Sequence, residues 1–533
     1  MISCDYFKWL IAALVSTVWL PLASLTAQQT ASSPPLVIVG GTLIDATGKP
    51  PLEDAAIVID GERIKAVGKR SEVTIPKGSR IIDVKGKTIL PGLIDGHCHL
   101  LDFIGELYLH LGITTCPDIT QNDDEWTMAQ RDGTRLGKIR GPRIWSTGMR
   151  LVGPPPAWAL RTETGYLIKT PDEARAAVRK KKEMGLEIVK FNEYVSPEAV
   201  KAGAEEADRL KKRWEIHEQR MTGKINTAEL PFYYEAENFD KIAGVMAERH
   251  VSWSPTIATW FRPLSPSAMR FKERESSILN NRNAGYLPAV MREQTLRQYD
   301  RYAKFPPEQL SRVREGYRKI TDLILRYVRA GGIIRAGSDP NNGLPGLGVH
   351  EEMVMFVEAG LTPMQAIQAA TINVAKAFRK GKDFGTLEPG KVADIIGVDG
   401  DPLKDIWSVQ NVKLVILNGK VIDSDFHASY KNPIPNVRPW RSTPRDIAIT
   451  PLSVVQGSAA TIKVSARRGF DRFHKVTLNG KELETRFLSP TEIEATIPPQ
   501  ALKDAGTYTV MVIGEGDFAS KSAPAYLIVS FKK

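Results

Sequence analysis

The pattern of hydrophobic and polar residues changes several times along the chain. Residues 35–90 contain short alternating runs, such as "PLVIVGGTLID" and "AAIVIDGERIKAVG", separated by turn pairs such as Asp60-Gly61. A period of two with these turns predicts β-strands. From residue 91 to 384, short apolar runs alternate with amphipathic stretches, and "KITDLILRYV" is apolar on one helical face. Residues 385–430 are again strand-like.

Strand–helix alternation over nearly 300 residues predicts a parallel sheet, and this length suits a (β/α)8 TIM-like barrel. After a Pro-rich linker, residues 446–533 contain short alternating runs without helical periodicity. This last pattern predicts a small β-sandwich. The predicted fold class is therefore α/β, with additional β-rich units.

Three helices have recognisable first turns. Thr170-Pro171-Asp172-Glu173 supplies an N-cap, a proline in the first turn and a capping-box glutamate, and Thr362-Pro363-Met364-Gln365 repeats the arrangement. Ser196-Pro197-Glu198 is a weaker version. The polar stretch from Arg262 to about Pro307 is predicted to be helical and is a candidate lid.

The N-terminus resembles an export signal. Residues 1–27 combine a weakly basic start, an apolar run broken by Pro21 and a small-residue exit at Ala27. We therefore predict a signal peptide and a periplasmic or extracellular protein, with an uncleaved membrane anchor as the less favoured alternative. Three cysteines are too few for a disulfide framework, and Cys98 and Cys116 are expected to be buried thiols.

Net charge argues against a nucleic-acid partner. The chain carries +11, but its 72 basic residues only modestly exceed its 61 acidic ones. The basic runs lie on helix-like segments without interleaved aromatic residues, which is typical of a solvated helix face.

The strongest chemical signal is "ILPGLIDGHCHLL", residues 89–101. In a strand, residues i and i+2 face the same side, so His97 and His99 point together while Cys98 points away. At the carboxyl end of a barrel strand, two imidazoles suit Zn²⁺ or a similar divalent metal. A pair of ordinary histidines is the alternative.

The wider sequence resembles the amidohydrolase superfamily, in its imidazolonepropionase-related and prolidase-like branch. The resemblance rests on "LPGLIDGHCHL", on "GSD" before Pro340, and on "GLTPMQAIQAATINVAKAF" with "GTLEPGKVADIIGVDGDPL", and it covers residues 35–425. It implies a metal-dependent hydrolase barrel over 91–384. It also implies one small β-sandwich built from segments 35–90 and 385–430. Residues 446–533 separately resemble an IPT/TIG domain of immunoglobulin-like fold.

The resemblance implies a set of metal ligands. His97 and His99 match the family's first-strand pair, and Lys190 in "LEIVKFN" matches a fourth-strand lysine that takes up CO₂ to form a carbamate bridging two metals. His217 in "RWEIHEQR" matches the fifth-strand histidine. Asp339 matches the eighth-strand aspartate. The expected cofactor is Zn²⁺, as one or two ions.

One family ligand is missing. The sixth-strand histidine aligns with Ala236, and Glu235 or Glu237 is a possible substitute oxygen ligand. A weak or absent second metal, or loss of activity, are the alternatives. His350 is a candidate second-shell or substrate contact.

Two tryptophans are candidate contacts for the substrate. Trp158 and Trp260 lie in stretches that follow the third and seventh barrel strands. An apolar wall above the site is one interpretation of these residues, and ordinary loop packing is the favoured alternative for each of them taken singly.

The implied function is hydrolysis of a C–N bond in an amide, a dipeptide-like compound or a cyclic amide. Metal-bound hydroxide would attack the carbonyl, with Asp339 as general base. The sequence leaves two other functions open: a degenerate barrel that binds without turnover, and a surface-binding module acting through the C-terminal domain. The oligomeric state is also open, with a homo-oligomer among the alternatives, and the C-terminal domain either docks a partner or packs on the barrel.

Overall fold

The computed structural model describes residues 34–119, 124–154, 165–192, 194–216, 239–340, 343–435, 447–466, 470, 474–489, 491–514 and 521–532. The predicted signal peptide, residues 1–27, lies outside the described residues. Among the described residues, no helix has the length and apolar character that crossing a bilayer requires.

The secondary structure follows the order that the hydrophobic pattern predicts. Five strands come first: β1 (Leu36–Leu43), β2 (Leu52–Asp60), β3 (Arg63–Lys69), β4 (Arg80–Asp83) and β5 (Lys87–Pro91). Strands and helices then alternate: β6 (Leu93–Ile94), α1 (Ile104–His110), β7 (Ile113–Pro117), α2 (Asp124–Arg135), β8 (Arg143–Trp145), β9 (Leu151–Val152), β10 (Tyr166–Leu167), α3 (Pro171–Glu183), β11 (Ile188–Phe191), α4 (Pro197–Arg209), β12 (Arg213–Ile216), α5 (Phe239–Glu248), β13 (Ser252–Trp253), α6 (Ala258–Phe261), α7 (Ala268–Leu279), α8 (Ala289–Arg301), α9 (Pro307–Arg329), β14 (Ile333–Ile334), α10 (Leu347–Glu358), α11 (Pro363–Ala369) and α12 (Ile372–Ala377). The remaining strands, with 3-10 helices at Ile406–Gln410 and Pro499–Leu502 among them, are β15 (Ile395–Asp399), β16 (Val412–Leu417), β17 (Lys420–Ile422), β18 (Ala448–Thr450), β19 (Ser453–Val455), β20 (Ala460–Ser465), β21 (Lys475–Leu478), β22 (Lys481–Glu482), β23 (Glu484–Ser489), β24 (Glu492–Ile497), β25 (Gly506–Ile513) and β26 (Ala525–Ser530).

One sheet combines strands from both sides of the alternating region. Its order is β17-β16-β15-β5-β1-β2-β3, with β4 paired to β1. The two halves join where β5 runs antiparallel to β15, with Leu90 opposite Ile396. Buried side chains of both segments, including Ile57, Ile89 and Ile395, share one hydrophobic core. Segments more than 300 residues apart therefore form one β-rich unit beside the barrel strands.

The described strands of the alternating region pair in parallel. Parallel pairs join β6, β7 and β8, then β9, β11 and β12, and finally β13 and β14. Backbone hydrogen bonds connect these groups: Ile188 N donates to Ser146 O at 3.0 Å, and Gly96 N donates to Ala336 O at 2.7 Å. The second bond places the end of β6 beside the end of β14. Between β12 and β13 lie residues 217–238, which are outside the described part.

The predicted helix starts are confirmed. Thr170 accepts a hydrogen bond from Glu173 N in a reciprocal capping box at α3, and Thr362 does the same with Gln365 at α11. Ser196 caps α4 by accepting from Ala199 N. Each cap satisfies N–H groups that the first helical turn leaves without an intrahelical partner, which fixes where the helix begins.

The segment predicted as a lid is helical but belongs to the core. Phe271, Ile278 and Leu279 of α7 and Tyr302 after α8 are buried in the main hydrophobic cluster. Phe271 packs against Trp407 with ring centroids 5.1 Å apart. Since this apolar surface is buried against the barrel, the segment is a fixed part of the described structure.

Residues 447–532 form two sheets with their own hydrophobic core. The sheet orders are β18-β20-β24-β23 and β19-β26-β25-β21-β22, antiparallel except for the β19–β26 pair. Ile462, Ile493 and Val510 are fully buried in the cluster between them. The alternation of buried and exposed residues explains this packing. Membership of the IPT/TIG group stays a prediction, as do the boundaries of the individual units.

Candidate metal centre

His97 and His99 lie immediately after β6, where backbone contacts bring them to the end of β14. Asp339 N donates to His97 O at 2.8 Å. Gly337 lies so close to His97 that a Cβ atom there would be 2.5 Å from His97 Cβ. Parallel strands place their carboxyl ends at the same edge. The chain therefore brings Asp339 against the two histidines, although 240 residues separate them.

Three potential ligand atoms converge at this edge. His99 Nε2 is 3.3 Å from Asp339 Oδ1, and His97 Nε2 is 4.0 Å from the same oxygen. One ligand atom from each residue lies within 4.8 Å of the other two. The side chain of His99 is 28% exposed, against 12% for His97 and 11% for Asp339. Solvent reaches the cluster mainly on the His99 side.

Asp339 has an unusual backbone conformation that the surroundings hold in place. Its φ is +32°, in the left-handed region where a residue with a Cβ is strained. Thr259 Oγ1 donates to Asp339 O at 2.8 Å, and the side chain of Thr256 hydrogen-bonds the Asp339 carboxylate. Strain persists where the surrounding contacts over-determine it, and such positions cluster at functional sites.

Asp95 fixes the backbone on both sides of the cluster. Its carboxylate accepts from His97 N at 3.0 Å, from Ser338 N at 2.9 Å and from Tyr108 Oη at 2.8 Å. The Ser338 hydroxyl donates to it as well. Burial raises the pKa of Asp95, while these hydrogen bonds act in the opposite direction. Asp95 therefore ties the β6 end to the β14 end beneath the ligands.

Lys190 is the third of the four residues of β11, and its side chain is buried. It is 3% exposed, and its Nζ donates to Ile119 O at 2.7 Å. Burial raises the pKa of Asp339 to about 6, and the positive charge of Lys190 acts in the opposite direction. Lys190 therefore lies within electrostatic range of the cluster. A cation bound by Asp339 would lower its pKa in the same sense as Lys190 does.

The donor set fits a divalent metal. Two imidazole nitrogens and a carboxylate oxygen are ligands that Zn²⁺ accepts, and catalytic zinc sites combine three protein ligands with an open position. The exposed side at His99 provides room for such a position. The roles of these residues as ligands stay predictions.

Several predicted site residues are not near this cluster or are not described. His217, Glu235, Ala236, Glu237 and Trp158 lie outside the described residues. His350 is 1% exposed, and its Nε2 contacts the carbonyl oxygen of Leu111 at 2.8 Å.

The contact with Leu111 O engages one ring nitrogen of His350 with the backbone rather than with the cluster. Trp260 lies in α6, partly buried against the core, and its carbonyl accepts from Tyr302 Oη at 2.7 Å. The substrate contacts predicted for both residues stay predictions.

Sequence reasoning missed three of the residues that support the ligands. Thr256 and Thr259 follow β13, and Glu352 lies within α10. Glu352 is fully buried, and the neighbouring Glu351 is 2% exposed. Two adjacent glutamates on a mostly apolar helix indicate a supporting role in the sequence, because buried carboxylates need specific partners.

Comparison with known proteins identifies the family. A profile of the amidohydrolase family matches residues 145–422, slightly more than half of the chain. The chain belongs to the amidohydrolase family. The matched range contains Lys190 and Asp339 and begins after His97 and His99.

This amidohydrolase is similar to two curated relatives. It is 24% identical over 409 residues to an adenine deaminase of Rubrobacter xylanophilus, covering 73% of this chain and 57% of that protein. It is 26% identical over 406 residues to an imidazolonepropionase of Symbiobacterium thermophilum, covering 68% of this chain and 90% of the relative. The chain thus spans little more than half the length of the adenine deaminase.

Solved structures share the fold. A putative prolidase from Bifidobacterium longum superposes with a TM-score of 0.55 at 22% identity, covering 73% of this chain and 95% of that one. A. niger ochratoxinase gives a TM-score of 0.52 at 21% identity, covering 75% and 99%. These likenesses support the TIM barrel and its mixed α/β content.

Proposed function

We propose that this chain is an exported, metal-dependent amidohydrolase that cleaves the C–N bond of a small amide, a dipeptide-like compound or a cyclic amide. The observation that carries the proposal is the convergence of His97, His99 and Asp339 at the carboxyl edge of the barrel strands. Active sites of barrel enzymes lie at this edge. The relatives named as adenine deaminase, imidazolonepropionase and prolidase support the C–N bond as the target.

Each residue of the cluster would have a separate role in hydrolysis. A divalent ion, when bound, supplies Lewis acidity for the amide carbonyl and increases the acidity of water. His97 and His99 would hold that ion, and Asp95 keeps the His97 backbone in register. Asp339 would accept the proton of the attacking water and pass it to the departing amine. One C–O bond forms, one C–N bond breaks, and the proton moves from water to nitrogen.

Lys190 is proposed to take up CO₂ as a carbamate, which would supply an oxygen ligand to the metal centre. A lysine that is only 3% exposed in an apolar strand is costly unless its charge is paired or altered. The neutral amine would form an N–C bond to CO₂ and release one proton to solvent, which would give an anionic carbamate with oxygen ligands. Metal content measured with and without added bicarbonate tests this step, because the proposal predicts more metal per chain with bicarbonate.

Export is proposed from the N-terminal sequence alone. Cleavage after Ala27 would leave a mature chain beginning at Gln28. Cell fractionation with N-terminal sequencing tests it. A cytoplasmic product that begins at Met1 would contradict the proposal.

The experiment for activity compares matched variants of the zinc-loaded mature chain. A panel of N-acyl amino acids, Xaa-Pro dipeptides and cyclic amides is screened for release of amine. Asp339→Asn removes the base and should lower kcat by at least about a hundredfold. Asp60→Asn is the control, because Asp60 is the exposed last residue of β2, in the β-rich unit rather than at the carboxyl edge of the barrel strands. Equal rates for both variants would refute the role of Asp339, and no turnover of any compound would favour a binding protein.

A further inference from the structure

Glu352 is a fully buried carboxylate that neither the ligand set nor the predicted sequence motifs include. It lies in the second turn of α10, on a helix that is otherwise mostly apolar. Its Oε2 accepts from Gly337 N at 3.0 Å, and its Oε1 accepts from Ile257 N. The backbone N–H of Ala258 also contributes. Burying a carboxylate is unfavourable unless hydrogen bonds compensate, so these bonds account for its presence.

The N–H groups belong to the two segments that frame Asp339. Gly337 precedes Asp339 by two residues and packs directly against His97. Ile257 lies between Thr256 and Thr259, and both threonines hydrogen-bond Asp339. One carboxylate therefore joins the end of β13 to the end of β14. The pairing of β13 with β14 and the hydrogen bonds of the two threonines to Asp339 also connect these segments.

Both carboxylate oxygens of Glu352 face N–H donors. Burial raises the pKa of this carboxyl to about 8, and the backbone hydrogen bonds lower it. In this arrangement both oxygens act as hydrogen-bond acceptors.

We propose that Glu352 is a positioning residue that sets the metal affinity of the His97–His99–Asp339 cluster. It acts by holding the β13 and β14 ends, and thereby the strained backbone of Asp339, in the ligating arrangement. The inference rests on the proposed metal-dependent function. Residues that orient metal ligands commonly change affinity by ten- to a hundredfold when they are altered.

The neighbouring Glu351 offers a matched control. It is on the same helix and is 2% exposed, but it faces a different cluster. Its Oε2 is 3.9 Å from Arg262 Nε, and the same nitrogen is 2.8 Å from Glu275 Oε1. Replacing Glu351 thus perturbs the helix and a buried charge without touching the strand ends at Asp339.

The experiment compares Glu352→Gln with Glu351→Gln in the mature chain. The Zn²⁺ dissociation constant is measured by competition with a chromogenic chelator, and thermal unfolding of the metal-free proteins is recorded alongside. Glutamine keeps the size of the side chain, but its amide nitrogen cannot accept one of the N–H bonds. We expect E352Q to weaken Zn²⁺ binding at least tenfold, and E351Q to change it less than threefold even if its melting temperature falls.

The outcomes separate the two proposals. Wild-type protein that binds no Zn²⁺ overturns both the proposed function and this inference. Wild-type binding with an E352Q dissociation constant within threefold overturns the inference alone, and so does equal weakening by E351Q. If E352Q does not fold, Glu352→Asp takes its place under the same criterion, since it keeps the charge but is too short to reach both strand ends.

Discussion

Replacing Gly337 with alanine should displace His97 and impair the metal centre. A Cβ at this position would lie 2.5 Å from His97 Cβ, 2.7 Å from His97 N and 2.8 Å from Ser254 Oγ. Since ordinary contacts between such atoms are about 3.5–4 Å, His97 or β14 must move by roughly 1 Å. Overpacking of this kind costs about 1–3 kcal/mol. The larger effect should fall on the ligand, because catalytic groups tolerate displacements of only about 0.5 Å.

The assay combines Zn²⁺ affinity with chemical unfolding of the metal-free protein. We expect Gly337→Ala to lose about 1–3 kcal/mol of unfolding free energy and to bind Zn²⁺ at least tenfold more weakly. The control is Gly244→Ala in α5, where a Cβ would meet nothing within 4 Å. That change should stabilise the chain slightly, because alanine is the better helix former. Unchanged Zn²⁺ affinity in Gly337→Ala would show that His97 is not a ligand or that it adapts freely.

Three further predictions concern stability and domain roles. Burial lowers the pKa of His350 to about 4, and Arg274 and His110 act in the same direction. Between about pH 4 and 6.5 the folded chain therefore binds fewer protons than the unfolded chain. As the pH falls through this range, the folded chain loses stability because the unfolded chain takes up the proton. Between pH 7 and pH 5 the unfolding free energy of His350→Gln in urea should therefore rise by about 2 kcal/mol relative to that of wild type. A difference between the two proteins that does not change with pH would contradict the lowered pKa of His350. Arg262→Met should cost about 3–5 kcal/mol because it leaves buried Glu275 and Glu351 without their cation, whereas an effect below 1 kcal/mol would show that the pair is protonated instead. Deleting residues 440–533 should leave hydrolysis intact, and loss of turnover in a folded truncation would assign the C-terminal unit a part in the site.

The ligand cluster was predictable because it depends on local rules. β6 ends at Ile94, so His97 and His99 lie just beyond the strand, but parallel strands end at a common edge, where Asp339 also lies. The helix starts at Thr170 and Thr362 follow from capping chemistry in the same way. Each of these inferences needs only a few neighbouring residues and the class of fold.

The support around the ligands was not predictable from local rules. Glu352 reaches Ile257 across 95 residues, and His350 reaches Leu111 across 239. Such contacts depend on how helix α10 packs against strand ends, which no single segment encodes. The polar segment after Arg262 was interpreted as a lid because the sequence does not show how its side chains pack. Its charges pair with each other in the interior, as the Arg262–Glu275 contact shows, while its apolar residues join the core.

The most direct test of the metal-dependent hydrolase is metal stoichiometry. Elemental mass spectrometry on the mature chain, expressed with zinc and bicarbonate, should give at least one metal per chain for wild type. His97→Ala should reduce that number while circular dichroism shows the same fold. Folded wild-type protein without metal, or an undiminished metal content in His97→Ala, would contradict the account.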